Sequence, residues 1–461
     1  MRRKLLRCVR SSRIPLLLSI SCSFLVLRSV SNTPQNDYTE FEERPETAPK
    51  AIYRRSYTRA TMREFKNGYN TTFFELNRNV SSCNVSETLP LPYESPSWTQ
   101  ILDTIHVYSA HFKGKYFHFI ALVDVNNDAF VNETSCECRF KTFFRSTVRV
   151  QNTRYDNNRE RFRSVRLVCR APAAWSIDAV ELVCQNRNSC GKLSYQLPKE
   201  HNRKTKRLSF ALCGPILWGN VSPKLLVEFI EYYTHIGIRH FVFYNNRASE
   251  MTLKILKHYT SANTHLMTIL PWELTVSSDS VNYFGQLSAV NDCTERTKGH
   301  WDYTLFADLD EFVGISGDGD LSSLLRFGIV DCIIIRSAFM HQVSIGNAAV
   351  DCISHSVLYT DNVRREISVL PEQERSKYVC RGANILTAGI HFPHYVLEET
   401  HAQVADPIRD GVMLHFRRHE GTEKRSYVDD ARVKNKMATV GSQAHSVMAA
   451  KFPRTYKYNR I

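Results

Sequence analysis

The stretch YTLFADLDEFVGI, residues 303–315, runs from an apolar, strand-like segment into three acids, Asp308, Asp310 and Glu311. Residues i and i+2 of a strand share a face. Strand alternation therefore predicts that Asp308 and Asp310 point the same way, and that Glu311 points off that face as a structural hydrogen-bonding partner. Two carboxylates so close repel, and one must protonate unless a cation joins them. A hard divalent ion, Mn2+ or Mg2+, resolves the conflict. It accepts one or two carboxylates and completes its shell with substrate phosphate oxygens. That arrangement suits holding a nucleotide diphosphate and neutralising it as a leaving group. No G-x-x-x-x-G-K-[ST] loop occurs in the chain, which excludes a P-loop nucleotide hydrolase.

The segments ahead of this stretch alternate in type. Ser222 and Pro223 form an N-cap and N1 pair, and Leu225, Leu226, Phe229, Ile230 and Tyr233 follow at helical spacing up to Gly237. HFVFY is a short strand closed by Asn245 and Asn246. MTLKILKHY reads as a helix, HLMTIL as a strand and GQLSAVNDCTERTKG as a helix. Strand–helix alternation predicts a parallel sheet with right-handed crossovers. Ligands on such sheets bind at the carboxyl ends of strands, where Asp308 and Asp310 fall.

The N-terminal part reads differently. Residues 1–13 carry Arg2, Arg3, Lys4, Arg7, Arg10 and Arg13 with no acid, and an uncharged run from Ile14 to Leu27 follows. We read 1–13 as a cytoplasmic tail and 14–30 as an uncleaved signal-anchor, a cleaved signal peptide being the alternative. Residues 31–95, polar and without periodicity, are expected to be a luminal stem. Sequons at Asn70, Asn79, Asn84 and Asn132 predict N-glycosylation. Residues 96–205 carry β-rich runs such as YFHFIALVDV and SVRLVC, which predict a small sandwich-like domain. Cys136, Cys138, Cys169, Cys184 and Cys190 cluster there. In an oxidising lumen they predict a disulfide framework; a zinc site, the other reading, lacks paired C-x-x-C knuckles. Net charge is +14 from 60 basic and 46 acidic residues. Charge alone would admit nucleic acid, but the luminal reading excludes it as a partner and leaves phosphorylated small molecules or anionic glycans.

From about Ser209 to about Arg418 the chain resembles glycosyltransferase family 92. The resemblance rests on LCGPILWGNVSPKLLVEFIEYYTHIGIRHFVFYNN, NYFGQLSAVNDCTERTKGHWDYTLFADLDEFV, SKYVCRG…AGIHF and MLHFRR. CRGAN stands where many members carry a Pro-Glu pair after the Cys-Arg. The resemblance implies a fold of α/β class: a GT-A, Rossmann-like nucleotide-sugar transferase domain at 206–440, preceded by the β-rich domain and followed by a C-terminal tail at 441–461. It implies a metal-dependent inverting transferase that moves galactose from UDP-galactose, with β linkage, to an N-glycan or polysaccharide acceptor. It further implies a single-pass type II protein of the Golgi membrane. Carried over by motif, Asp308, Asp310 and His415 are the metal candidates, with His391 as the alternative to His415 and Asp310 ranked first as direct ligand. Asn245, Asn246, Gln286, Asn291, Asp292, Asp308 and Arg417 are the nucleotide-sugar candidates. An inverting displacement also needs a base. Asp351, Glu372 and Glu374 are the candidates downstream, Glu366 being a further one, and spacing does not separate them. Transfer of another UDP-sugar, or a catalytically inactive glycan-binding role on the same fold, are the competing readings.

Overall fold

The computed structural model describes residues 73–75, 83, 88–124, 134–141, 144–152, 160–172, 177–198, 208–340, 363–416 and 426–451, all within one structural unit. The tail and anchor, the sequons Asn70, Asn79, Asn84 and Asn132, and the candidates Asp351 and Arg417 lie outside these residues. Among the described residues no helix is long and apolar enough to cross a membrane.

The β-rich half is a single ten-stranded sheet. Its main path runs Leu89–Pro90, Cys190–Gln196, Ala179–Gln185, Ser135–Arg139, Arg145–Asn152, Arg163–Arg170, Tyr116–Val123, Ile105–Lys113 and Thr99–Leu102. Phe73–Glu75 pairs off this path with Arg145–Asn152. Inward residues of the long strands, among them Phe117, Phe119, Val148, Val150, Leu167, Leu182 and Leu193, form its own core. The sheet curls until its ends meet: a Cβ on Gly191 would lie 2.3 Å from the Ile101 carbonyl oxygen, so the approach needs glycine. Cys136–Cys184 staples neighbouring strands, and Cys138–Cys169 reaches across the intervening strand Arg145–Asn152. This is the sandwich-like domain with the local disulfides expected of it. It begins earlier than the sequence places it. Phe73–Glu75 and Leu89–Pro90 are strands of the sheet and Cys83 is bonded to Cys190, so the distal part of the expected stem belongs to the domain. These edge strands are two or three residues long, too short to show a period of two.

The second half is α/β. A seven-stranded sheet has the order Met267–Pro271, Ile238–Ala248, Phe210–Gly219, Tyr303–Phe306, Lys377–Arg381, Cys332–Ile335 and Ala402–Val404. The first four run parallel, and Lys377–Arg381 joins antiparallel. The order reverses between Phe210–Gly219 and Tyr303–Phe306, which marks the switch point where such sheets bind ligands. Pro223–His235 is the expected capped helix: the Ser222 hydroxyl accepts from the Leu225 amide, and Leu226, Phe229, Ile230 and Tyr233 are buried. Helices Glu250–Ala262 and Gln286–Thr297 follow where the spacing put them. Cys213–Cys293 bolts the second of these to the central strand, and Cys332–Cys380 joins neighbouring strands. Helix Arg432–Lys451 continues through residue 440, where the sequence reading begins a tail, and buries Val433, Met437, Val440 and Ala444 against the core shared with Pro223–His235. A smaller sheet, Glu311–Ile315, Gly411–His415 and Ser337–Phe339, lies beyond the acidic stretch.

The two halves join through buried charge. Arg166, on the β-rich sheet, lies 3.2 Å from Glu295 of helix Gln286–Thr297, and both are buried. Burial pushes the nearby His118 imidazole down to about 3; Glu295 opposes that shift and Arg166 reinforces it. The unfolded chain takes up this proton near pH 6.5, and the native state only near 3. The resulting stability is complete above about pH 6.5 and declines as pH falls toward 3. Between pH 7.5 and 5 this one residue should remove about 1–2 kcal/mol. Urea unfolding at the two pH values should show that loss, and His118→Asn should reduce it. An unchanged pH slope in the variant would refute the assignment.

Candidate active site

Strand Tyr303–Phe306 ends one residue before Ala307, and the acids sit in a turn. The Glu311 amide donates to the Asp308 carbonyl at 3.1 Å, which closes the turn. Strand alternation therefore does not apply between 308 and 311, although Glu311 does turn away from the exposed side that Asp308 and Asp310 share. Glu311 is buried behind the turn, where its carboxylate accepts from the Asp308 amide at 2.8 Å. It is a structural partner, as expected, but it lies within the acidic cluster rather than off it.

Lys377 organises this cluster. It starts the strand beside Tyr303–Phe306, is 2% exposed, and sets its Nζ 2.8 Å from Asp308 and 3.1 Å from Glu311. Burial alone would lower the ammonium, but Asp308 and Glu311 together hold it above its ordinary value. The two carboxylates share one cation unequally. Burial raises both; Lys377 overrides this at Asp308 and holds that carboxyl low, whereas Glu311 stays raised. The side chain of Asp308 is a third exposed and that of Glu311 is not, so the wetter carboxylate keeps the charge. Gln286, the first residue of its helix, completes the shell by donating to Asp308 at 3.3 Å.

Asp310 faces solvent on the other side, with its carboxylate 3.3 Å from His415 Nε2. His415 ends strand Gly411–His415, directly opposite Glu311 in the register, and stacks on Phe339 with ring centroids 5.2 Å apart. Its Nδ1 is buried, has no hydrogen-bond partner, and lies 3.8 Å from Glu311. His391 is near the same cluster: Lys377 and Asp308 act on its charge, and burial with Lys377 pushes it down to about 4. Its Nδ1 is likewise buried and unpartnered. Among the described residues no three acids, cysteines or histidines are set to hold an ion unaided. The fit to a divalent ion is instead that of an open site. A carboxylate one-third exposed and an adjacent imidazole would supply two donors, with the remaining positions left to a ligand's oxygens.

A cavity of about 370 Å3 lies at the carboxyl ends of the parallel strands, lined by Trp218, Asn246, Arg247, Glu273, Phe284 and neighbouring residues. Phe284 is two residues ahead of Gln286, the residue that donates to Asp308. Arg247, Tyr283 and Phe284 all have positive φ, at 56°, 42° and 55°. Two of these, Arg247 and Phe284, line the cavity, and non-glycine residues in this conformation there mark backbone strain.

The other candidates divide. Asn246 lines the cavity, and Asn245 accepts from the Ala248 amide at 3.0 Å to shape the strand end. Asn291 and Asp292 do not face the cleft. Asn291 is buried between Arg166 and the backbone of Leu287 and Ala388. Asp292 accepts from Tyr244 at 2.8 Å and Arg296 at 2.7 Å, is bonded by Ser109, and pairs with His111 at 2.8 Å. Their helix is sandwiched between the two halves, so its polar face meets the β-rich domain rather than water. Glu372 and Glu374 lie on the loop Pro371–Ser376 that leads into Lys377, half-buried and exposed respectively. Glu366 is buried in the short strand Arg364–Glu366. Sequence reasoning missed Lys377: within SKYVCRG it reads as a surface lysine at a strand start, and no local pattern shows that the strand lies beside the acids.

Residues 209–457 match the model of glycosyltransferase family 92. Among curated proteins, the β-1,4-galactosyltransferase galt-1 of Caenorhabditis elegans is 37% identical over 25% of this chain and 26% of its own length. The galactan β-1,4-galactosyltransferase GALS2 of Arabidopsis thaliana is 22% identical over 50% of this chain and 44% of its own. The chain thus spans less than half the length of either relative. A solved structure of glucosyl-3-phosphoglycerate synthase from Mycobacterium tuberculosis, with Mn2+ and uridine-diphosphate-glucose, covers 53% of this chain and 79% of that one. Its sequence identity is 11% and its TM-score 0.26.

The division between buried and half-solvated acids has a measurable consequence. Asp292→Asn removes a buried charge from Arg296 and His111 and should cost about 3–5 kcal/mol. Asp310→Asn, at a site one-third exposed, should change stability by less than about 1 kcal/mol. Denaturant unfolding of both variants checks this; equal losses would show that Asp292 is not the structural anchor.

Proposed function

The chain belongs to glycosyltransferase family 92, and on that premise we propose that it transfers galactose from UDP-galactose to a glycan acceptor, inverting the anomeric carbon to a β linkage. The observation that carries the reading is the acidic turn with Asp310 and His415 at the switch point of a parallel sheet whose other strand ends line a cavity. The galactosyltransferase activities of the nematode and plant relatives support galactose as the sugar.

In this reading Asp310 and His415 would hold Mn2+ or Mg2+. Such an ion supplies positive charge to a departing diphosphate. The cavity takes the nucleoside, with Trp218 and Phe284 as apolar walls and Asn246 as a polar contact. Gln286 and Asp308, joined by their hydrogen bond, border the sugar-phosphate end. The acceptor hydroxyl attacks the anomeric carbon from the face opposite the diphosphate. The new C–O bond forms as the bond to UDP breaks, and a carboxylate takes the hydroxyl proton. Glu372 and Glu374, on the loop entering Lys377, are the described candidates for that base, beside Asp351.

The N-terminal basic and apolar segments, the sequons and five disulfides support a type II protein with this domain in the Golgi lumen. An N-glycan or polysaccharide is then the acceptor class. Peptide-N-glycosidase should shift the mobility of the secretory-pathway protein; no shift would refute the luminal placement.

The decisive experiment is UDP-galactose turnover by the purified full-length chain, with and without a glycan acceptor, across Mn2+ concentrations. Asp310→Asn should lower the rate by on the order of 10²–10³-fold or more, with an unchanged melting temperature. Full activity of that variant under chelation would overturn the metal-dependent reading.

A further inference from the structure

We infer that Lys377 is a positioning residue that occupies Asp308 and so leaves a divalent ion to Asp310 and His415 alone. The inference rests on the metal-dependent reading above and assigns the two aspartates of the turn different work.

The geometry is asymmetric. One Asp308 oxygen lies 2.8 Å from the Lys377 ammonium, and the other accepts from Gln286 at 3.3 Å. The Asp308 amide is held by Glu311 at 2.8 Å, and Glu311 is itself 3.1 Å from the same ammonium. Lys377 cannot swing aside easily. It is 2% exposed, and its strand is hydrogen-bonded on both edges, to Tyr303–Phe306 and to Cys332–Ile335. A second cation placed on Asp308 would sit a few ångströms from this ammonium and be repelled by it. Asp310 carries no such guard. Its carboxylate lies 3.3 Å from His415 Nε2 and, like that of Asp308, is a third exposed.

Two consequences follow. The acidic turn is assembled before any ion arrives, because the ammonium already offsets the repulsion between Asp308 and Glu311. With two protein donors, the ion is held weakly until a diphosphate supplies the remaining oxygens. Metal and nucleotide should therefore bind synergistically, and Asp308 should serve the nucleotide-sugar through its bond with Gln286.

The test is Mn2+ titration of the purified full-length chain by electron paramagnetic resonance, with and without UDP. Wild type should bind Mn2+ at least tenfold more tightly with UDP present. Without UDP, Asp308→Asn should leave the Mn2+ dissociation constant within about twofold, whereas Asp310→Asn should raise it tenfold or more. Lys377→Met should tighten Mn2+ binding without UDP severalfold by releasing Asp308 as a third donor, and Lys377→Arg should not. A merely structural lysine would give no such tightening. If Lys377→Met does not fold, the Asp308→Asn arm decides alone. The inference is overturned if Asp308→Asn weakens Mn2+ as much as Asp310→Asn does, or if folded Lys377→Met binds Mn2+ no more tightly than wild type. Absence of Mn2+ binding by wild type with UDP would instead overturn the metal-dependent reading, and this inference with it.

Discussion

The buried contact of Arg166 with Glu295 and Asn291 is the constraint on which the rest of the molecule depends. Burying a guanidinium and a carboxylate is costly, and only a full set of partners recovers the cost. Here the partners come from both halves. Lys298 lies 2.6 Å from Glu295, and Asn291 also binds the backbone of Ala388. Asp292 adds a second lock through His111, Ser109, Tyr244 and Arg296. The helix Gln286–Thr297 is thus clamped between the β-rich sheet on one side and, through Cys213–Cys293, the central strand on the other. The two halves are folded as one body around that helix.

That clamp sets the site. Gln286 is the helix's first residue, and its position fixes the hydrogen bond to Asp308. The acidic turn is held from the opposite side by Lys377 on the neighbouring strand and by Glu311 behind it. His415 arrives on a third element, opposite Glu311 in the small sheet. A loss of register in any of these would separate Asp310 from His415 without touching either side chain. The β-rich domain therefore bears on the acidic cluster at a distance, by fixing the helix.

Much of the α/β half was legible because its signals are local. Ser222 and Pro223 start their helix as their types require, and the apolar runs at 238–248 and 267–271 are strands in the expected parallel sheet. The acidic strand end was legible as a site because charge after a buried strand needs an explanation. What was not legible is non-local. Asn291 and Asp292 look like the polar face of a surface helix, and only Arg166 and His111, more than a hundred residues earlier, turn that face into an interface. Glu311 ended off the exposed side for a reason other than alternation: the strand stops at Phe306, and a tight turn looks the same as a strand in ADLDE, residues 307–311, which has no Gly or Pro. Lys377 was invisible because antiparallel entry of its strand next to Tyr303–Phe306 is a property of topology.

The polar groups of the two clusters separate structure from chemistry more sharply than burial does. Asp292 and Asp310 are both acids near one helix-and-turn assembly, yet one is saturated and the other is not. Each carboxylate oxygen of Asp292 has named donors, so there is no vacancy for a ligand and nothing to gain from one. Around Asp310 the balance is reversed. Its own carboxylate is one-third exposed, and the adjacent His415 keeps a buried Nδ1 without a partner, as does His391 near Asp308. Folding alone disfavours such orphan atoms, since a buried unpaired nitrogen costs about 1–3 kcal/mol. The same accounting leaves Arg166 Nε, Arg296 Nη2 and His118 Nδ1 without partners at the join between the halves, so orphan nitrogens accompany buried charge in both clusters, and it is the open carboxylate of Asp310 that sets its cluster apart.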